Sequence, residues 1–277
     1  MKLGILVGTP DLRQPWCTIL DGPDLMANIA QVARWGYDGI ELAIRDPEVL
    51  DADQIKACCR ENNIEVIGLC TGEIFGSDGL GLVSQNTRTM EMAFQKLQQA
   101  IDLAGDLGSG VLVNIGRVRG SATTPAGIKT AVGIFQSLSD FALEKDVRLI
   151  LEPVNHYEVD FVHTTQEGIE IANSVNRPNF GLMLDTYHMN IEDQDLRASI
   201  QQAEKYCWHV HVSDNNRKYP GNAHICFSEI VRELDEINYD GYLSAEILPW
   251  PDPQTAGVET IEFLQKTIQS VTKGQSR

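Results

Sequence analysis

Short apolar runs alternate with longer amphipathic stretches along most of the chain. Eight runs are rich in Val, Ile and Leu and seldom alternate with polar residues: 2–7, 38–42, 64–69, 110–116, 147–152, 179–185, 208–214 and 241–247. Apolar runs without alternation are typical of strands that are buried on both faces of a parallel sheet. The pattern therefore predicts eight parallel strands.

The stretches between these runs place apolar residues at helical spacing. They predict helices over 24–35, 86–107, 126–145, 165–175, 194–206, 228–237 and 255–270. Gly36 and Gly108 follow two of them as stop signals, and Thr164 with Glu167 forms a capping box before another. The segment 71–86 contains four glycines before Leu82 and indicates either a mobile loop over one end of the fold or a plain surface excursion.

Eight strand–helix units in 277 residues predict an α/β protein, a (β/α)₈ TIM barrel that forms a single domain over residues 1–277. A doubly wound sheet is the alternative fold. It is disfavoured because Gly4 and Gly8 lack the third glycine and the following helix of a dinucleotide-binding fingerprint. No linker or break in composition divides the chain.

Composition and charge exclude several classes of function. The chain is 43% hydrophobic and 22% charged, with a net charge of −17. A nucleic-acid-binding protein normally needs a basic face, so no nucleic-acid partner is expected. No apolar run has the length of a membrane span, so no membrane partner is expected either. The six cysteines form no CxxC pair, which predicts reduced thiols and a cytoplasmic location.

The last four predicted strands each end in, or carry, a group that can bind a metal ion. Glu152 ends the fifth, Asp185 ends the sixth, His211 lies in the seventh and Glu246 in the eighth. Active sites of such barrels lie at the carboxyl ends of the strands, so these side chains are expected to converge. An oxygen-rich set with one imidazole favours Mn²⁺, Mg²⁺ or Co²⁺ over a structural zinc. The alternative is that each acid is separately a helix N-cap or a surface residue.

Further polar residues follow these strand ends. Glu158, His188 and Arg217 are expected to line the mouth of the site and to orient the hydroxyl and carbonyl groups of a small sugar. Glu152 and Glu246 could remove a proton beside a carbonyl on one face and return it on the other, which inverts a stereocentre. The residues therefore predict an enolising lyase, isomerase or epimerase.

The segments LEPVNHYEVD, LDTYHMN, HVHVSDNNR and AEI resemble the D-tagatose 3-epimerase family of ketose 3-epimerases, in the xylose isomerase-like barrel superfamily. The resemblance extends over nearly the whole chain. It implies one divalent metal ion, usually manganese, a proton exchange at C3 of a ketose, and a homo-oligomer (dimer or tetramer). The residues that it implies are Glu152, Asp185, His211 and Glu246 for the metal, Glu152 and Glu246 for the proton exchange, and Glu158, His188 and Arg217 for the oxygens at C1 to C3.

The chain departs from the family pattern where the far end of a sugar would lie. The segment after Arg217 reads PGNAHICF, in which Ala223 and Cys226 replace a glycine and an aspartate, and the fourth strand continues as NIGRVRG. These departures leave the identity of the ketose open. Arg117 and Arg119 either bind a phosphate or carboxylate of the substrate or pair with surface acids.

Three other functions remain open on the same scaffold. An aldose–ketose or hydroxypyruvate-type isomerase would share the metal site and could act on a phosphorylated or acidic sugar. An endonuclease of the endonuclease IV type would need several zinc ions and a basic groove, which a net charge of −17 disfavours. A non-catalytic sugar-binding barrel would not need two glutamates placed for proton transfer.

Overall fold

Eight parallel strands close into a barrel in the computed structural model, which describes residues 1–14, 16–108 and 110–274. Residues 15, 109 and 275–277 of the predicted domain lie outside the described residues. Each strand pairs with the next, and the eighth pairs with the first. The predicted TIM barrel is therefore confirmed. The strands are β1 Lys2–Gly8, β2 Gly39–Ala43, β3 Glu65–Cys70, β4 Leu112–Asn114, β5 Arg148–Leu151, β6 Phe180–Asp185, β7 Cys207–Val212 and β8 Tyr242–Ala245.

Helices lie between the strands, and their predicted end signals are confirmed. Gly36 ends the first helix with φ 95°, Gly108 caps the fourth, and the capping box of Thr164 and Glu167 begins the sixth. Short 3₁₀ turns lie at Pro47–Val49 and Arg117–Arg119. The helices are α1 Leu25–Trp35, α2 Ala52–Asn62, α3 Gly72–Gly76, α4 Thr87–Leu107, α5 Pro125–Leu143, α6 Thr165–Val175, α7 Thr186–Glu192, α8 Leu196–Gln202, α9 Phe227–Glu236 and α10 Pro253–Gly274.

Three helices, α2, α3 and α7, were not predicted from the sequence, and a fourth, α8, was predicted too long. Helix α2 buries only Ile55 and Cys59, a stripe too narrow to produce a clear helical period. Helix α7 begins directly after a strand, where Asp185 caps it by accepting from the backbone N–H of Tyr187. Helix α8 is shorter than the predicted 194–206, because the chain turns at Ala203 towards β7.

The segment 71–86 is packed, so its interpretation as a plain surface excursion is wrong. It contains α3, and it buries Ile74 and Leu82 completely. Val83 forms a parallel bridge with Gly120. Gly120 adopts φ 75°, and a Cβ atom there would lie within 2.4 Å of the Val83 carbonyl oxygen. Only glycine fits this close approach of two backbones.

The apolar core determines which strand residues face the barrel interior. Leu149 and Leu151 pack into the large hydrophobic cluster, whereas Ile150 joins a separate cluster with Leu112 and Met183. Because successive side chains of a strand point to opposite faces, Glu152 continues the face of Ile150. On β6, Asp185 continues the face of Met183 in the same way. Alternation alone therefore directs these carboxylates inwards.

Two further findings concern the described residues as a whole. None of the helices in the described part of the chain is long and apolar enough to cross a membrane. All six cysteines are free thiols. The cytoplasmic location stays a prediction.

Candidate metal centre and active site

The structure brings the four predicted metal ligands together at the carboxyl ends of neighbouring strands. Asp185 and His211 lie side by side in the register of β6 and β7. Glu152 and Glu246 directly follow β5 and β8. One donor atom from each of the four lies within 4.8 Å of the others. The alternative that these acids are separate caps or surface residues is therefore wrong, although Asp185 also caps α7.

This cluster fits a single divalent cation. Ligand atoms on opposite sides of an ion with bonds of about 2.0–2.2 Å lie up to about 4.4 Å apart. Glu152 Oε2 accepts a hydrogen bond from Asn114 Nδ2 at 3.0 Å, but Oε1 is buried and has no partner. A buried carboxylate oxygen without a donor is costly unless something binds it. Three carboxylate oxygens and one imidazole nitrogen form a donor set for a hard or borderline ion.

The carboxyl groups of the cluster are also costly to ionise where they lie. Burial, with the Glu246 carboxylate nearby, raises the pKa of Glu152 to about 8. Burial raises the pKa of Asp185 as well. Burial would raise the pKa of Glu246 too, but Arg217 and His211 outweigh it and lower that pKa to about 2. A bound cation would relieve the charge repulsion that the metal-free cluster retains.

Arg217 places a permanent positive charge beside the cluster. Its Nη1 atom donates to Asp185 Oδ2 at 2.5 Å, its Nη2 atom donates to Glu246, and its guanidinium lies 4.7 Å from the Tyr187 ring centre. Arg217 adopts φ 59°, a left-handed conformation that is strained for a side chain of this size. The buried Asp214 holds this loop, because its carboxylate accepts four backbone N–H groups at 2.8–3.1 Å.

His188 and Glu158 are connected by Asn155. His188 lies in α7 and is buried, and its Nδ1 atom accepts from the backbone N–H of Asn155 and from Asn155 Nδ2. Its proton is therefore on Nε2, which lies 3.6 Å from Glu152 Oε1 and 3.8 Å from Asp185 Oδ2. Burial and Arg217 lower the pKa of His188 to about 3, so it is a neutral donor at pH 7. Glu158 Oε1 accepts from Asn155 Nδ2 at 3.0 Å.

Glu41 is a site residue that the sequence reasoning missed. It is buried in β2, and its Oε2 atom accepts from His211 Nε2 at 2.7 Å and from Ser244 Oγ at 2.6 Å. The Nε2 atom of His209 lies 3.0 Å from the same oxygen. Gly68 leaves room for this carboxylate, since a Cβ atom there would lie 2.9 Å from Glu41 Oε1. The sequence feature that could have indicated Glu41 is the presence of a glutamate inside the apolar run 38–42.

The contact with Glu41 determines how His211 presents its other nitrogen. His211 Nδ1 lies 2.9 Å from Glu246 Oε2 inside the cluster. Burial lowers the pKa of His211, but Glu41 and Glu246 outweigh it and hold that pKa well above its usual value. Glu41, Cys70 and His211 form a second group with metal-ligand types. Burial raises the pKa of the Cys70 thiol well above its usual value, so this second group offers no thiolate.

Arg119 is a structural residue. The expectations that it binds a substrate anion or pairs with a surface acid are both wrong. Its guanidinium is fully buried and donates to the carbonyl oxygens of Gly116, Glu152, Phe161 and Val162. It therefore joins the segments that follow β4 and β5 and reaches neither a substrate nor a surface acid. Arg117, by contrast, lines a cavity of about 510 Å³ together with Gln14, Trp16, Glu73, Gly76, Asn155, Tyr157, Glu158 and Tyr187.

Known proteins are similar in sequence to this chain over most of its length. A family model described as Xylose isomerase-like TIM barrel matches residues 29–267. An L-ribulose 3-epimerase of Methylomonas sp. (strain DH-1) is 33% identical over 79% of this chain and 76% of that protein. A ketose 3-epimerase of Arthrobacter globiformis is 24% identical over 92% of this chain and 95% of that protein.

A solved structure extends the similarity to the whole barrel. The D-allulose 3-epimerase from Methylomonas sp. in complex with D-allulose superimposes with a TM-score of 0.79 at 26% identity. The match covers 96% of this chain and 97% of that one.

Proposed function

The chain belongs to the ketose 3-epimerases of the xylose isomerase-like TIM-barrel family, and on that premise we propose that it inverts C3 of a free ketose with the help of a divalent metal ion. It is an isomerase of the carbohydrate epimerase class. One observation carries the proposal. Two carboxylates, the buried Glu152 and the partly buried Glu246, belong to one cluster and have pKa values shifted in opposite directions. Such pairs divide the roles of acid and base between them.

Glu152, Asp185, His211 and Glu246 would hold one divalent ion. We propose Mn²⁺, with Co²⁺ or Mg²⁺ as substitutes, on the basis of the oxygen-rich donor set and the unpartnered Glu152 Oε1 atom. When bound, such an ion polarises the ketose carbonyl and favours the negative charge that develops on its oxygen.

The two glutamates would exchange the proton at C3. The carboxylate of one takes the C3 proton, and the electron pair of the broken C–H bond forms the C2–C3 double bond of an enediolate. The carboxyl group of the other then gives a proton to C3 from the opposite face, which restores the C2 carbonyl and leaves C3 inverted. The low pKa of Glu246 supports its role as a base, and the raised pKa of Glu152 supports its role as an acid, in one direction of the reaction.

Arg217, His188 and Glu158 would hold the oxygens at the C1 to C3 end. Arg217 and the Nε2–H group of His188 are donors beside the cluster, whereas Glu158 accepts hydrogen bonds. Together they complement a carbonyl with adjacent hydroxyl groups. The related D-allulose 3-epimerase with bound D-allulose supports a small sugar as the ligand. We also propose a homo-oligomer, a dimer or tetramer, which sedimentation analysis would test.

One alternative has a specific observation in its favour. The hydroxypyruvate isomerase of Escherichia coli is 23% identical over 83% of this chain and 93% of that protein. An isomerase would use the same cluster but would move the proton between adjacent carbons. Its product from a ketose is an aldose, whereas the epimerase product remains a ketose.

Product analysis with two variants tests the proposal. The Mn²⁺-loaded protein is incubated with ketoses of four to six carbons and the products are identified by NMR. We expect the C3 epimer from the wild type and none from Glu152→Gln or Glu246→Gln. Glu65→Gln, an exposed glutamate that pairs with Lys2, is the matched control and should retain full activity. An aldose product would favour the isomerase, and full activity of either site variant would contradict the proton exchange.

A further inference from the structure

The cavity of about 510 Å³ lies between residues that contact the neighbours of the metal cluster and residues of other loops at the same end of the barrel. Asn155, Glu158 and Tyr187 form the wall near the cluster, where Asn155 contacts His188 and Tyr187 lies against Arg217. The other wall comes from segments after β1, β3 and β4: Gln14, Trp16, Glu73, Gly76 and Arg117. Its volume lies in the range typical of small-molecule sites. A sugar held at the cluster would reach this far wall with the end of its chain.

Arg117 on the far wall has an unmet hydrogen-bonding requirement. Its Nε atom is buried and has no partner. The other arginines in the described part of the chain that are not exposed all donate to protein oxygens: Arg45 to Asp78, Arg119 to four carbonyl groups, Arg177 to Asp140 and Arg217 to Asp185. A buried donor without an acceptor is costly, so a ligand oxygen is expected to supply the acceptor.

The backbone beside Arg117 directs it along the cavity. Gly116 lies against the Glu152 carboxylate, where a Cβ atom would be 2.7 Å from Oε2. The Arg117 side chain then extends over Gly72, whose Cβ atom would lie 3.9 Å from Arg117 Cδ. The guanidinium thus belongs to the wall formed after β3 and β4, whereas the four cluster residues belong to β5 to β8.

The other side chains of the cavity indicate the chemical class of that ligand oxygen. Glu73 and Glu158 are both carboxylates on its walls, held by Ser77 and Asn155 respectively. Two carboxylates repel a phosphate or carboxylate on the substrate, in a protein whose net charge is already −17. A hydroxyl group can donate to a carboxylate and accept from a guanidinium at once. Trp16, which is 57% exposed, adds an apolar face for the C–H groups of a sugar.

We propose that Arg117 is a specificity-determining residue that binds the hydroxyl oxygens at the far end of an uncharged ketose. The inference rests on the proposed C3 epimerase function and adds to it the residue that selects a sugar long enough to reach Arg117 and without a terminal phosphate or carboxylate. A tetrulose contains the reacting C3 carbon but has only one carbon beyond it. It should therefore be insensitive to the arginine.

Steady-state kinetics with D-fructose, D-erythrulose and D-fructose 6-phosphate tests this inference on the Mn²⁺-loaded protein. Arg117→Met removes the donor, and Arg232→Met, which changes an exposed arginine of α9, is the charge-matched control. Arg117→Met should raise the KM for D-fructose on the order of tenfold, with kcat changed less than about threefold. It should leave the KM for D-erythrulose unchanged, and Arg117→Lys should recover part of the loss for D-fructose. The control should match the wild type, and the wild type should use D-fructose better than its 6-phosphate.

Each failure has a distinct signature. A wild type that epimerises neither free sugar nor the phosphate removes the proposed function, and the inference with it. A wild type that epimerises D-fructose while Arg117→Met matches Arg232→Met overturns only the inference. Preference for the 6-phosphate that disappears in Arg117→Met overturns the uncharged class and shows that Arg117 binds an oxyanion. A KM increase of equal size for D-erythrulose shows that Arg117 acts on the cluster end. Mn²⁺ affinity measured by titration calorimetry should be the same in all variants.

Discussion

Glu41 contacts the candidate metal ligand His211 from the side opposite the cluster, and its replacement by glutamine tests whether it positions that ligand. Glu41 Oε2 accepts from His211 Nε2 at 2.7 Å, and both side chains are 1% exposed. In Glu41→Gln the amide oxygen can accept the same hydrogen bond, but the negative charge is lost. The substitution therefore changes charge while it retains the length of the side chain.

The expected magnitude follows from this contact. At 2.7 Å, opposite unit charges attract by about 6 kcal/mol at an effective dielectric constant of about 20. Desolvation of two buried groups offsets most of that attraction. Mutation of the residue that hydrogen-bonds the far nitrogen of a metal-binding histidine typically weakens metal binding about 10- to 100-fold, equivalent to about 1.4–2.7 kcal/mol. We expect Glu41→Gln to weaken Mn²⁺ binding within this range at pH 8.

The pH dependence of the effect has a defined sign. Burial lowers the pKa of His211, but the Glu41 charge helps to hold it well above its usual value, so protons compete with the metal in the wild type. Glutamine lowers that pKa and therefore reduces the competition. The deficit of Glu41→Gln should be smaller at pH 6 than at pH 8.

Titration calorimetry of Mn²⁺ into metal-depleted protein at both pH values measures the effect. Glu65→Gln, an exposed glutamate far from the cluster, is the control, and the unfolding temperature of each metal-free variant verifies folding. Equal Mn²⁺ affinity of the two variants at pH 8 would refute the claim that Glu41 positions His211.

Three further predictions concern the cluster and its support. Mn²⁺ binding at pH 7 should release at least one proton, because His211 is protonated below its raised pKa and must lose the Nδ1 proton to bind a cation. Calorimetry in two buffers of different ionisation enthalpy measures the number of protons released, and a number near zero would contradict the prediction. Gly116→Ala should weaken Mn²⁺ binding, because its Cβ atom would lie 2.7 Å from Glu152 Oε2. In the control Gly133→Ala the new Cβ atom meets no atom within 4 Å, so this variant should bind Mn²⁺ as the wild type does. Equal Mn²⁺ affinities of the two variants would refute the steric argument. Arg119→Met should lower the free energy of unfolding by about 3 kcal/mol or more, because it leaves buried carbonyl groups without donors, and a loss below about 1 kcal/mol in urea denaturation would refute this.

The candidate ligands could be predicted because strand position alone directs them inwards. Glu152 and Glu246 follow apolar strands, Asp185 ends one, and His211 lies within another; the alternation of side chains along each strand then directs them inwards. Their convergence needs only the closed barrel, which the eight apolar runs indicate. The functional roles of these residues stay predictions until the variants are measured.

Other parts of the site depend on contacts between segments that are distant in sequence. Glu41 lies on β2, and nothing in the run 38–42 indicates that its carboxylate meets His211 across the barrel interior. Arg119 resembles an ordinary loop arginine, because the carbonyl groups that satisfy it come from the separate segments after β4 and β5. Sequence periodicity describes each element by itself and carries no information on such long-range partners.

The most direct test of the central claim is the position of deuterium after turnover of D-fructose in D₂O by the Mn²⁺-loaded wild-type protein. The proposed exchange by two glutamates predicts deuterium at C3 in the C3 epimer, and none at C1, by NMR. Deuterium at C1 or C2 together with an aldose would contradict C3 epimerisation and assign the cluster to an isomerase. Formation of the C3 epimer with no deuterium incorporated would contradict proton exchange between Glu152 and Glu246.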